Sequence, residues 1–147
     1  MVNRVDHAQS GALIAFQLLT GLGMPPQEIA TIVTAIGHHD EATAAPVNPV
    51  AAALILADKC DVRRSRVRNR NIASFDIHDR VNYAVTDQTL KINKDKRVIS
   101  LNLQLDTGIC SMYEYFEIFL GRMLMCRGAA ELLNATFKLT ANGAKVL

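Results

Sequence analysis

The sequence contains no uninterrupted apolar run of about 18 residues, the length that indicates a membrane-spanning helix. Its N-terminus, "MVNRVDHAQS", lacks the basic and then apolar segments of a secretory signal peptide. Its three cysteines are an odd number, and their spacing forms neither a CxxC zinc motif nor a disulfide framework. These absences predict a chain that does not cross a membrane and whose thiols are reduced in the cytoplasm.

The basic residues are concentrated in one segment. Residues 59–70 hold six basic side chains and one acidic side chain, although the whole chain of 147 residues has a formal net charge of only +2. No aromatic residue lies among these arginines, so the segment does not resemble a platform for single-stranded nucleic acid. The pattern therefore predicts a small anionic ligand, and no nucleic acid polymer as a partner.

The first 85 residues are predicted to be helical. Apolar side chains recur at helical spacing in four segments, and Asp6 and Asn48 are expected to cap the first and third helices. The third helix, "NPVAAALILADKCDVRRSR", is expected to include the beginning of the basic segment. This region, residues 1–85, is predicted to form a bundle of about four helices.

The period of the apolar residues then changes from helical spacing to strict alternation. Residues 99–105 alternate as in a half-buried strand, and Leu90 and Ile92 are expected to form its hairpin partner through "NKDK". Ser111 and Glu114 form a capping box for a helix, and "TFKLT" is a third strand. The inner face of that helix is expected to carry Phe116, Phe119, Leu120, Met123 and Leu124. We therefore predict an α+β fold, with a β-β-α-β region at residues 86–147 packed with the helices as one compact unit.

Three places in the helical region offer metal ligands: His7, the adjacent His38, His39 and Asp40, and Asp58. In the first turn of a helix, the helix dipole favours the neutral imidazole that a metal requires. Adjacent helical side chains point about 100° apart, so His38 and His39 reach one ion only if the helix unwinds there. A carboxylate that ends a buried run, as Asp58 does, needs a cation or a hydrogen-bond donor. Imidazole with carboxylate suits Fe, Mn or Zn better than Ca.

Each of these residues also has a purely structural interpretation. A histidine at a helix end, such as His7 or His38, is commonly a surface or capping residue. Asp58 can pair with Lys59 or with an arginine instead of an ion. The argument for a metal site is that three consecutive short helices, each carrying one of these side chains, can converge.

Three stretches, "RVDHAQSGALIA", "AIGHHDE" and "ILADKCDVRR", together resemble the later half of the HD-domain superfamily of metal-dependent phosphohydrolases. The resemblance implies a helical bundle in which His7, His39 and Asp58 are metal ligands and His38 is a possible further ligand. The stretch "DIHDRVNYAV" and the β-β-α-β tail also resemble a clostridial-type branch of these hydrolases, so the resemblance covers most of the chain.

The family signature, which is a histidine, a His-Asp pair and a final aspartate, can be placed in two ways. In the preferred frame, the first histidine and the pair precede His7, so the chain is N-terminally truncated and lacks the aspartate that bridges two ions. In the competing frame, His7 is the first ligand, His39 and Asp40 are the pair, and Asp58 is the last ligand. The short separation of Asp40 from Asp58 and the small residues after His7 favour the first frame.

The resemblance implies hydrolysis of a phosphoester or a nucleotide, with reduced activity in a truncated chain. Asp58 and His39 would be catalytic, the cofactor would be a divalent Mn, Fe, Mg or Zn ion, and Lys59, Arg63 and Arg64 would contact the substrate phosphate. The alternative is an inactive HD-like module that serves ligand binding or oligomerisation. Because the strand at residues 99–105 would be a long sheet edge, and because missing helices would leave apolar surface uncovered, we also expect a homo-oligomer.

Overall fold

The computed structural model of this chain describes residues 5–41, 45–69 and 71–147. Within these residues the protein is a mixed α+β structure with five α-helices and one four-stranded sheet, so the α+β class is confirmed. The predicted β-β-α-β order lacks β4, which follows β3. The elements are α1 (His7–Gly21), α2 (Pro26–Gly37), α3 (Pro49–Cys60), α4 (Ile77–Ala84), β1 (Val85–Asn93), β2 (Val98–Leu105), α5 (Met112–Leu132), β3 (Thr136–Ala141) and β4 (Ala144–Lys145). Two short 3-10 helices, Arg64–Arg66 and Ile72–Ser74, lie between α3 and α4.

Side chains cap three of the helices as local sequence rules require. Asn48 accepts a hydrogen bond of 2.8 Å from the Ala51 N–H at the start of α3, and Ser111 with Glu114 forms the predicted capping box of α5. The expectation for Asp6 is wrong, although α1 does begin at His7. Asp6 has a left-handed backbone with φ of 55° and makes no side-chain capping bond, because a capping side chain requires an extended backbone.

The third helix is shorter than predicted. It ends at Cys60, and the arginines that follow lie on an extended residue and a 3-10 turn. The Cys60 carbonyl accepts a hydrogen bond of 2.9 Å from the Val62 N–H, so the chain turns sharply at this point. Val62 is buried immediately after the turn, which anchors the new direction of the chain.

The sheet has the order β1-β2-β3-β4. β1 and β2 form an antiparallel hairpin, β2 is parallel to β3, and β3 is antiparallel to β4. The expectation that residues 99–105 form a sheet edge is therefore wrong, because β2 pairs on both sides. The parallel connection from β2 to β3 needs a crossover, and α5 provides it.

One hydrophobic core joins the helices to the sheet. α5 lies at its centre, with Tyr115, Phe119, Met123 and Cys126 fully buried between α3 and the inner face of the sheet. The predicted inner face of α5 is partly wrong: Phe119 and Met123 are buried, whereas Leu120 and Leu124 are exposed. All three cysteines are free and buried, and the sulfur atoms of Cys60 and Cys126 lie 3.7 Å apart.

Across the described ranges, no helix is both long enough and apolar enough to cross a lipid bilayer.

Candidate functional site

The first two helices bring two imidazole rings into contact. His7 is the first residue of α1, and His39 lies two residues beyond the end of α2. Their Nε2 atoms are 3.2 Å apart, and the rings meet edge to face with a centroid separation of 5.0 Å. The sequence predicted that His7, His39 and Asp58 converge, and the structure shows this contact for the two histidines.

A backbone carbonyl fixes the orientation of His39. The Nδ1 atom of His39 lies 2.6 Å from the carbonyl oxygen of Ile36, which can only accept a hydrogen bond. Nδ1 therefore carries the proton, and in the neutral ring the Nε2 lone pair points at His7. A hydrogen bond from one ring nitrogen to a carbonyl is the arrangement that commonly orients a metal-binding histidine.

Gly11 allows this close approach of α1 and α2. A Cβ atom at Gly11 would lie 3.3 Å from Cγ2 of Ile36, which is tighter than ordinary van der Waals contact. Gly11 is one helical turn after His7 and lies on the same face of α1. Ile36 therefore contributes to the site in two ways. Its side chain packs at Gly11, and its carbonyl oxygen orients His39.

The third predicted ligand, Asp58, lies in the last turn of α3 and makes an ion pair with its neighbour. Its Oδ2 atom is 2.8 Å from Nζ of Lys59, whose side chain is only 6% exposed, and Asp40 lies 4.0 Å from the same Nζ. Burial by itself raises the pKa of Asp58. Its hydrogen bond and charge interaction with Lys59, together with His39 and Arg66, outweigh that effect and lower the pKa below the ordinary value.

The two imidazoles fit one metal ion, but the carboxylate does not complete a ligand cluster. Two nitrogens that each lie about 2.1 Å from an ion, at an angle of about 100°, are about 3.2 Å apart. His7 and His39 have this separation. Within residues 5–41, 45–69 and 71–147, however, no group of three or more His, Cys, Asp or Glu side chains is arranged to hold an ion. The Oδ2 atom of Asp58 is bound to Lys59, which leaves Oδ1 as the atom for a further partner.

These residues line one cleft of about 480 Å³, which is within the size range of small-molecule sites. Of the predicted site residues, His7, His39, Asp58 and Lys59 line it, and Asp40 also does. His38 caps the end of α2 and is not a lining residue, so its role as an extra ligand stays a prediction.

The two arginines predicted to contact phosphate lie outside the cleft lining. Arg63 pairs with Asp61 at 2.8 Å. The Nε atom of Arg64 donates a hydrogen bond of 2.7 Å to the carbonyl oxygen of Tyr83, and its guanidinium lies 4.5 Å from the centre of the Tyr83 ring. Because α3 ends at Cys60, neither side chain continues along the helix face that carries Asp58.

Two other arginines line the cleft instead. Arg66 comes from the 3-10 turn of the same basic segment, and Arg122 comes from α5. Arg122 pairs with Glu41 and lies over the Phe119 ring, 4.3 Å from its centre. α4 adds His78, Asp79 and Asn82 on another wall. The lone arginine in the apolar stretch "FLGRMLMC" was the available sequence signal for Arg122.

Comparison of the chain with protein-family models, with curated proteins and with solved structures finds no match.

Proposed function

We propose that this chain is an HD-like, metal-dependent phosphohydrolase domain whose helical region and β-β-α-β region carry one catalytic cleft. The observation that carries the proposal is the 3.2 Å approach of the His7 and His39 Nε2 atoms, with His39 held by the Ile36 carbonyl. His7 and His39 would supply two ligands of a divalent ion, and Asp58 would supply a third only by turning Oδ1, the oxygen that Lys59 does not bind, toward that ion. Such an imidazole-rich set suits Mn, Fe or Zn. Such an ion lowers the pKa of a bound water and polarises a phosphoryl oxygen.

The cations of the cleft would bind the substrate's phosphate. Lys59, Arg66 and Arg122 line the same cleft as the histidines, and arginine forks match phosphate oxygens. Lys59 is held by Asp58, so one carboxylate would both bind the ion and keep the ammonium directed at the site. Burial of the Lys59 stem limits the freedom of its charged end. The substrate would be a small phosphorylated molecule, such as a nucleotide, because the cleft volume suits a ligand of that size.

Metal binding tests the proposal, and adjacent histidines provide a matched pair of variants. His39→Ala removes the imidazole that faces His7, so we expect the affinity for Mn²⁺ or Zn²⁺ to fall by about 100-fold. His38→Ala removes a histidine that is outside the cleft lining, and we expect it to bind the metal like the parent protein. Metal content measured by elemental analysis after equilibrium dialysis checks both, with circular dichroism to verify the fold.

Hydrolysis of p-nitrophenyl phosphate and of its bis-ester with added Mn²⁺ tests the reaction itself. We expect activity that depends on the metal and is lost in His39→Ala. A parent protein that binds no divalent metal, or a His39→Ala protein with unchanged metal content, would refute the ligand assignment. Metal binding without hydrolysis would instead support the second function, an inactive HD-like module.

A specific observation favours self-association in either case. α1 and its C-cap residue expose a group of large apolar side chains, and within the described residues the main contacts of α1 are with α2. The group consists of Leu13, Ile14, Phe16, Leu18 and Leu22. A group of exposed large apolar side chains on one helix commonly marks a protein-protein contact. We therefore propose that two copies of the chain associate through α1.

Sedimentation of paired variants tests the association. Phe16→Asp replaces an exposed ring of the apolar group with a charge, so we expect it to shift the protein from dimer to monomer. Gln104→Asp adds the same charge at an exposed position of β2, outside the apolar group of α1, and should leave the dimer intact. Sedimentation velocity at several concentrations measures the difference, and a parent protein that is monomeric throughout would contradict the proposal.

A further inference from the structure

A second concave site lies on the other side of α3 from the histidine cleft. It is an apolar groove of about 580 Å³ between α3, the turn end of the β1-β2 hairpin and the segment after α5. Its walls include Leu56, Leu90, Ile99 and Leu133. It shares no lining residue with the histidine cleft. We call it the hairpin groove.

The hairpin turn places two cations at one end of this groove. Lys94 and Arg97 both line it, and so do Asn93 and Asn134. In the described parts of the chain, no carboxylate lies within 4.0 Å of either cation. An apolar groove with two unpaired cations at one end is complementary to an amphipathic anion. Ile92, which borders the groove, is 66% exposed and would be covered by such a ligand.

The backbone conformation at Arg97 indicates that its side chain contacts a ligand. Arg97 has a φ of 49°, in the left-handed region that glycine and asparagine tolerate best. Its carbonyl oxygen accepts a hydrogen bond of 2.8 Å from the Thr136 N–H, which joins the hairpin turn to the start of β3. That backbone bond does not need an arginine. The side chain itself is therefore the part of Arg97 that the fold does not explain, and strained positions of this kind occur at ligand contacts.

We propose that the hairpin groove binds a medium-chain carboxylate, with the carboxylate on Arg97 and Lys94 and the alkyl chain along the apolar walls. A planar guanidinium fork matches a carboxylate in two parallel hydrogen bonds. The walls contact only the alkyl chain of the ligand. The site therefore selects the length of that chain and the negative charge of the ligand, and not a pattern of polar groups along the chain. The proposal is independent of metal binding, because the histidine cleft contributes no residue to it.

Octanoate is the probe, and two analogues separate the parts of the recognition. Octan-1-ol keeps the chain without the charge, and butyrate keeps the charge with a short chain. We expect octanoate to bind the full chain at millimolar concentration and both analogues to bind at least about tenfold more weakly. Amide chemical shifts from NMR titration should change in the hairpin and in α3, and should not change around His7 and His39. Equal binding of octan-1-ol would overturn the assignment of an anion site.

Arg97→Gly distinguishes a ligand contact from a structural role. Glycine relieves the left-handed strain and keeps the backbone bond to Thr136, so we expect the melting temperature to be equal or higher. Octanoate binding should nevertheless fall about tenfold, because one charge-assisted contact is lost. Lys96→Gln removes a neighbouring charge that does not line the groove, and it should bind octanoate normally.

A second variant, Ala53→Phe, fills the groove from an exposed position on α3 and should abolish octanoate binding without unfolding the protein. Normal octanoate binding by both Arg97→Gly and Ala53→Phe would overturn the proposal. Groove resonances that shift with protein concentration and not with octanoate would also overturn it, because a second copy of the chain would then cover the groove.

Discussion

Asp58→Ala is expected to lower the free energy of unfolding by about 3 kcal/mol, because it leaves the buried Lys59 ammonium without its nearest partner. Only 6% of the Lys59 side chain is exposed, and its Nζ lies 2.8 Å from Asp58 but 4.0 Å from Asp40. The more distant Asp40 cannot replace a direct hydrogen bond. Urea unfolding followed by circular dichroism measures the loss, which should appear as a lower midpoint with an unchanged slope.

The partner substitution is expected to behave differently. Lys59→Met removes the ammonium and leaves the Asp58 carboxylate, whose side chain is 34% exposed and can be hydrated, so we expect a smaller loss of stability than in Asp58→Ala. It also releases Oδ2 of Asp58 from its ion pair, so we expect the Mn²⁺ affinity to rise while hydrolysis falls through loss of a phosphate contact. An equal loss of stability in both variants would show that the ion pair itself stabilises the fold.

The control for the ion-pair explanation is the pH dependence of the difference in free energy of unfolding between Asp58→Ala and the parent protein. The folded-state pKa of Asp58 is lower than its ordinary value of 3.8. A carboxyl group with a lowered folded-state pKa stabilises the protein above its unfolded-state pKa, and this contribution is lost as the pH falls through the folded-state pKa. The stability gap between the two proteins should therefore be full at pH 7 and should shrink below about pH 4. A gap that stays constant down to pH 2 would rule out the ion pair as its cause.

The part of the site that follows local rules could be predicted from the sequence. His7 begins a helix and His39 follows the end of the next one, so two short antiparallel helices bring the two residues to the same end. Helix starts are also local, since the Asn48 cap and the Ser111–Glu114 box need only neighbouring residues. The positions of the two histidines at these helix ends therefore follow from local rules, whereas the packing of α1 against α2 that joins them is a tertiary contact.

The phosphate contacts depended on information that is not local. Nothing in "DKCDVRRSR" marks Cys60 as the last helical residue, because the arginines that follow are good helix formers. The helix ends there because Val62 enters the core and Arg64 binds the carbonyl of Tyr83, nineteen residues later. Arg122 reaches the cleft only because α5 crosses from β2 to β3 against α3. Both facts follow from the tertiary structure.

The orientation of α5 shows a second reason why the sequence could not predict the whole structure. Its apolar residues surround the helix, so helical spacing does not define which side is buried. The structure buries Tyr115, Phe119, Met123 and Cys126, whereas the sequence placed Leu120 and Leu124 inside. Small residues decide the outcome: Ala129 and Ala130 are fully buried and bring the end of α5 close to its neighbours. A pattern based on large side chains misses this contribution.

The buried face of α5 provides the second large effect. Phe119→Ala is expected to lower the free energy of unfolding by about 3–5 kcal/mol, because Phe119 is fully buried and its loss leaves a cavity in the core. The variant also removes the ring over which Arg122 lies, at 4.3 Å, so the affinity for a phosphate substrate should fall even under conditions where the protein stays folded. Urea unfolding measures the first effect, and the KM for p-nitrophenyl phosphate measures the second.

Tyr115→Phe, one helical turn before Phe119, is the matched variant with the opposite expected sign. The Tyr115 hydroxyl is buried and has no hydrogen-bond partner in the described parts of the chain, and burial raises its pKa. Removing an unsatisfied hydroxyl while keeping the ring should leave stability unchanged or raise it by about 1 kcal/mol. The edge-to-face contact with Phe119, at 5.2 Å between ring centres, is retained by phenylalanine. A clear loss of stability in Tyr115→Phe would mean that this hydroxyl has a partner in solution. The core around α5 would then be held by a polar contact as well as by packing.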